Sequence, residues 1–130
     1  MADNMKYNIS RIAQSLGADF NVTTDLTLYI VPLGFEFTPF AVCISNASAN
    51  LTNAVVSFGQ STAKTDFLGN QTLSNCNAAG DAVWCVPVPN ATPVGMVTYT
   101  EGEIFVMDRV TAAGVAATAD VSVFGFLTAA

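Results

Sequence analysis

At 130 residues and 13.6 kDa the chain is the size of one domain. It is 52% hydrophobic but only 11% charged, and its four cations, Lys6, Arg11, Lys64 and Arg109, stand against ten carboxylates for a net charge of −6. That balance argues against nucleic acid, whose phosphates need clustered Lys and Arg, and against anionic membrane surfaces. A chain this poor in charge leaves apolar surface for something else to cover, which points to a subunit of an assembly.

The N-terminal segment MADNMKYNISRIAQSL has no apolar run of the ~7–15 residues that a secretory leader carries. Synthesis and use without Sec export is therefore the expectation. Ser10 is placed to cap a helical turn with Ile12 and Leu16 on one face and Gly17 closing it in the left-handed region. The same residues also suit an edge strand with Tyr7 and Ile9 on one face. On either reading residues 1–20 form an N-terminal arm, and residues 21–130 form the domain.

From residue 26 onward the apolar period is two. Leu26, Leu28 and Ile30 alternate, as do Phe35 and Phe37, then Phe40, Val42 and Ile44; Val83 with Cys85, Ile104 with Val106, and Val121 with Val123 follow. This pattern puts one strand face into a core. Strands are predicted at 26–32, 35–45, 53–60, 64–68, 82–88, 94–100, 103–109 and 119–128, with turn clusters between them such as Pro32-Leu33-Gly34 and Asn75 to Asp81. About eight short antiparallel strands at this spacing indicate an all-β fold, a small β-sandwich or jelly roll. Leu28 to Ile44 is the most apolar stretch, but Pro32, Gly34, Glu36 and Pro39 break it too often for a membrane span.

Chemistry-bearing patterns are few. The chain has no His, which removes the Ser-His and Cys-His nucleophile pairs and the commonest general base. Cys43, Cys76 and Cys85 lack the paired spacing of a zinc site. Cys76 and Cys85 flank the turn-like NAAGDAVW and could bond across a hairpin; as reduced thiols they would pack as small hydrophobes, as Cys43 is expected to do. Glu101 and Glu103 could share a face as a cation site or half of a hydrolase pair, though a solvated hairpin tip is the simpler reading. Asp108 and Arg109 read as a surface polar pair at a strand end. Asp81 belongs to its turn, and Asp120 breaks an apolar strand edge. Trp84 could be a stacking platform for a sugar, but a core or interface aromatic is the favoured reading. Six Asn-x-Ser/Thr triplets begin at Asn8, Asn21, Asn46, Asn50, Asn70 and Asn90; they read as turn chemistry rather than glycan acceptors. No catalytic, metal or cofactor-binding residue is assigned.

The run TLYIVPLGFEFTPFAVCISNASANLTNAVVSFGQSTAKTDF, Thr27 to Phe67, resembles small virion proteins of tailed bacteriophages. The likeness lies in a strand ending in Tyr-x-Val-Pro-x-Gly, a second strand running into a polar loop, and a third with a Val-Ser-Phe-Gly end. ADVSVFGFL, Ala119 to Leu127, is similar to the closing strand of such proteins. The resemblance implies a jelly-roll subunit on the capsid surface of a virion, a non-enzymatic decoration or cement protein, often trimeric, whose partner is the major capsid protein or another virion subunit. On that reading Lys6, Tyr7, Ile9, Arg11, Ile12 and Leu16 of the arm contact the capsid, and Val121, Val123, Phe124, Phe126 and Leu127 form the oligomer interface. A carbohydrate- or receptor-binding module on the same sandwich is the alternative.

Overall fold

The computed structural model describes residues 8–87 and 95–130. These residues form nine β-strands and no helix: β1 (Ser10–Asp19), β2 (Asp25–Ile30), β3 (Phe35–Ser45), β4 (Val55–Gln60), β5 (Leu68–Thr72), β6 (Val83–Cys85), β7 (Tyr99–Thr100), β8 (Ile104–Thr111) and β9 (Thr118–Ala129). The chain pairs from the outside in. β1 pairs with β9, β2 with β8, β3 with β6 and β4 with β5, all antiparallel. One sheet therefore runs β1-β9-β3-β6, with the short β7 also on β3, and the second runs β2-β8-β4-β5. A long hairpin folded over on itself in this way is the jelly-roll order.

Side-chain alternation closes the two sheets on one core. β9 turns Ala119, Val121 and Val123 inward, β3 contributes Phe37, Val42 and Ile44, β4 contributes Val56 and Phe58, and β8 contributes Phe105 and Met107. The core is graded along its length. Toward the β2–β3 and β4–β5 turns it is aromatic: Phe105 stands 5.7–6.4 Å from the rings of Phe37, Phe58, Phe67 and Tyr99, mostly edge-on or tilted. Toward the opposite end it is built from small residues, Ala47, Ala54, Ala113, Ala117 and Ala119 with Cys76 and Leu51. Gly125 lies inside because Phe37 fills the space its side chain would need; a Cβ there would meet the Thr38 carbonyl oxygen, with Phe37 Cε1 at 2.9 Å.

The N-terminal expectation is corrected for its described part. Residues 10–19 are a strand that pairs with β9 from Ser10 to Asp19 across two register shifts, and Ala18 and Phe20 are core residues, so this part of the 1–20 arm belongs to the sandwich. Gly17 does take the left-handed conformation, at φ 63°, but at a bulge between Ser15 and Ala18, where its N–H donates to Asp120 Oδ1 at 2.9 Å. β9 is twelve residues long and needs a partner along its outer side, and β1 supplies one.

Two further boundaries differ. The strand expected at 64–68 is a turn: Gln60 O accepts from both Ala63 and Lys64, Lys64 sits at φ 66°, and pairing resumes only at Leu68. Of the strand expected at 94–100 only Tyr99–Thr100 pairs, and residue 94 lies outside the described residues. The Pro32–Gly34 turn forms as expected, closed by Phe35 N–H on Pro32 O at 3.2 Å with Gly34 at φ 82°.

Candidate functional site

The carboxylates are spent on structure. Glu103 Oε1 accepts from the Thr100 N–H at 2.7 Å and the Thr100 hydroxyl at 2.9 Å, while Oε2 accepts from Gln60 Nε2 at 2.5 Å. The Thr100 amide and hydroxyl hold its carboxyl below the usual range. Glu103 thus ties the β7–β8 turn to β4, and Glu101 points to solvent from the same turn, so the two do not form a pair. Asp66 accepts from the Tyr99 hydroxyl at 2.9 Å and the Gln60 N–H at 2.9 Å, joining the two sheets at this end. Burial first, and then the Asp66 carboxylate, push the Tyr99 phenol up. Among the described residues no group of three acidic or thiol side chains is placed to hold a metal.

Asp108 and Arg109 separate rather than pair, because successive residues of a strand point to opposite faces. Asp108 faces outward, opposite Asp25 across the β2–β8 ladder, and Lys64 bonds to Asp25 at 3.0 Å. Desolvation, then its hydrogen bond with Asp25, raise the Asp108 carboxyl. Arg109 faces inward and is 8% exposed. Its Nε donates to Thr24 O at 2.8 Å, its Nη1 to Asp19 O at 2.8 Å and its Nη2 to Thr24 Oγ1 at 2.9 Å. The guanidinium fork thereby clamps the crossover between the sheets, residues 19–24, onto β8.

The thiols are free. Cys76 and Cys85 are buried, and burial pushes the Cys85 thiol up to about 12. Cys43, expected in the core, lies half-buried on the outer face of its sheet, because a bulge between Pro39 and Ala41 shifts the phase of β3 and hands the inward places to Val42 and Ile44. Of the Asn triplets, three take turn or loop roles: Asn46 has positive φ, Asn50 Oδ1 accepts from the Thr52 N–H, and Asn21 Oδ1 accepts from Gly114 N–H at 3.0 Å; Asn70 also has positive φ, but inside β5, where the pairing with β4 is irregular. Asn90 lies outside the described residues.

What remains uncommitted is apolar and exposed. β1 is an edge strand, and on it Leu16 is 71% exposed, Ile9 just before it 46%, and Arg11 is exposed between them. Ile12, also expected at the partner contact, is corrected: it packs partly buried against the core at the first β1 bulge. Lys6 and Tyr7 lie outside the described residues. The interface expected on β9 splits by alternation. Val121 and Val123 are core residues inside one chain and are unavailable to a second subunit, and Leu127 packs against the same core. Phe124 and Phe126 lie on the outer face, partly exposed.

That outer face carries a feature that sequence reading placed in a core or interface. Trp84, on the edge strand β6, is 61% exposed, and its ring lies 5.3 Å from Phe124 at 57°. Phe40 is exposed at the β3 bulge on the same strand as Cys43, the cross-strand partner of Trp84. Val83 and Cys85 on either side of Trp84 pack inward as their alternation implies, and that phase turns Trp84 outward.

No protein-family model matches the chain, and neither a curated protein nor a solved structure matches it.

Proposed function

We propose that this chain is a non-enzymatic structural subunit of a virion, a capsid decoration protein that docks on the shell through its β1 edge. The observation that carries the docking edge is the exposure of Ile9, Arg11 and Leu16 along one edge strand. Two large aliphatic side chains in water around a lone cation, in an otherwise acidic protein, suit a contact with an acidic, partly apolar neighbour. The virion assignment is supported by the likeness of Thr27–Phe67 and Ala119–Leu127 to phage virion proteins, and by a strand order that viral capsid subunits also use. A decoration protein adds its binding free energy to the closed shell and so stabilises the assembled state. The two β1 bulges disfavour continuous strand addition at this edge, so side chains rather than backbone carry the contact.

The test is add-back to particles stripped of the protein. Wild type is expected to rebind and raise the particles' heat resistance. The double variant Ile9→Asp, Leu16→Asp alters only exposed side chains, so it should keep the wild-type melting temperature and lose binding. Equal rebinding by the variant overturns the β1 assignment.

A further inference from the structure

We propose that the outer face of the β1-β9-β3-β6 sheet is a saccharide-binding platform centred on Trp84. It is carried by Trp84 and Phe124 rather than by Ile9 and Leu16, and it does not rest on the virion reading.

β6 and β9 are two strands apart, about 9.6 Å at the usual sheet spacing, yet the Trp84 and Phe124 rings come to 5.3 Å. Both rings therefore lean inward over β3, where the residues below are small: Ala41, opposite Phe124, and Cys43, opposite Trp84. Ala41 is fully covered, while Trp84 keeps most of its surface in water. The tilt between the rings leaves an indole face open beside a second aromatic wall. An indole with an open face suits the C–H face of a pyranose ring, which is apolar and flat on one side.

Hydrogen-bonding side chains surround the rings. Gln14 Nε2 donates to Ser122 Oγ at 3.4 Å in the row that continues through Cys43 to Trp84. Arg11 is the cross-strand neighbour of Phe124. The Thr38 and Thr98 hydroxyls meet at 2.9 Å beside Phe126. The Gln14 amide, Arg11 and the Thr38 and Thr98 hydroxyls match the ring hydroxyls and ring oxygen of a sugar lying across β9 and β3, while the buried Ser122 serves to hold Gln14. Glu36 and Asp120 stand toward the two ends of the same face and the chain carries a net charge of −6, which disfavours an anionic sugar despite Arg11, so the ligand is a neutral oligosaccharide.

Titrating the ¹⁵N-labelled protein with lactose, cellotriose and chitotriose tests the proposal, with sialyllactose as the anionic comparison. The expected result is saturable shifts at the Trp84 indole N–H and the Ser122 and Thr38 amides with at least one neutral probe, and weaker shifts with sialyllactose. Trp84→Ala should weaken that binding by about tenfold or more and leave the melting temperature nearly unchanged, because the side chain is exposed. Absence of shifts on this face at roughly 10 mM of every probe overturns the proposal, and so does unchanged binding by Trp84→Ala. Neither result bears on the β1 edge, which the Ile9 and Leu16 variant tests by itself.

Discussion

Arg109 is the position at which a single substitution should cost most for its size. The three hydrogen bonds of its side chain all go to uncharged acceptors of residues 19 and 24, and together with its own backbone N–H on Thr24 O they fasten the β1–β2 crossover to β8. Arg109→Met keeps the length and apolar stem of the side chain and removes the fork. Hydrogen bonds from a charged donor contribute ~1.5–3 kcal/mol each, a sum reduced here because Asp19 and Thr24 are exposed and water can take the place of the fork. Against this, the variant no longer desolvates a guanidinium, which offsets a large part of the sum. The net loss is then about 2–3 kcal/mol, a fall of roughly 6–12 °C in melting temperature for a domain of this size. Arg109→Lys should fall between the two, since one ammonium cannot reach residues 19 and 24 together. Urea unfolding followed by far-UV circular dichroism measures the difference. A loss within about 0.5 kcal/mol for Arg109→Met, the range of an ordinary surface substitution, refutes the clamp.

Glu103 contributes stability through a carboxyl held below its usual value of 4.5, so that contribution is complete above pH 4.5 and is lost as pH falls through the folded-state value. The gap in melting temperature between wild type and Glu103→Gln should therefore be widest near neutrality and close in acid; a gap independent of pH contradicts the assignment. In the native protein Cys43 should react first with a bulky maleimide, while Cys76 and Cys85 wait for unfolding; fast labelling of all three thiols contradicts the burial of the latter two. Gly125→Ala should destabilise by about 2 kcal/mol or more through overpacking, since its Cβ would meet Phe37 Cε1 at 2.9 Å and Pro39 Cα at 3.0 Å; a neutral effect in thermal denaturation shows that β3 and β9 yield there.

Alternation carries the fold where one side of a strand faces a core and the other does not. Val121 and Val123 in β9 are legible for that reason, whereas in β8 the expected Ile104 and Val106 phase is the wrong one: apolar residues stand on both faces there, and the core cluster takes Phe105 and Met107. It misplaces β5, because Leu68–Thr72 lies on a sheet edge, largely solvated, and its polar residues look like more of the preceding turn. Arg109 shows a different limit. Adjacent charges invite a surface pair, yet neighbours in a strand point apart, and the carbonyls that receive the guanidinium come from a crossover about 85 residues away. The β3 bulge inverts the phase after Pro39, which moves Cys43 outward and brings it opposite Trp84. The Val83 and Cys85 alternation within β6 already turns that tryptophan outward, which the reading of Trp84 as a core or interface aromatic passed over. The N-terminal segment was ambiguous between helix and edge strand because Ile9, Ile12 and Leu16 satisfy either period loosely; the bulges in β1 are what blur the alternation.

The central claim, a subunit that works by covering a shell, is tested most directly by quantitative mass spectrometry of purified particles from the source of this chain. The account predicts the protein in a fixed ratio to the major capsid protein through successive density gradients, and its release without loss of fold when Ile9 and Leu16 are both replaced by Asp. Recovery of the wild-type chain only in the particle-free fraction contradicts the claim.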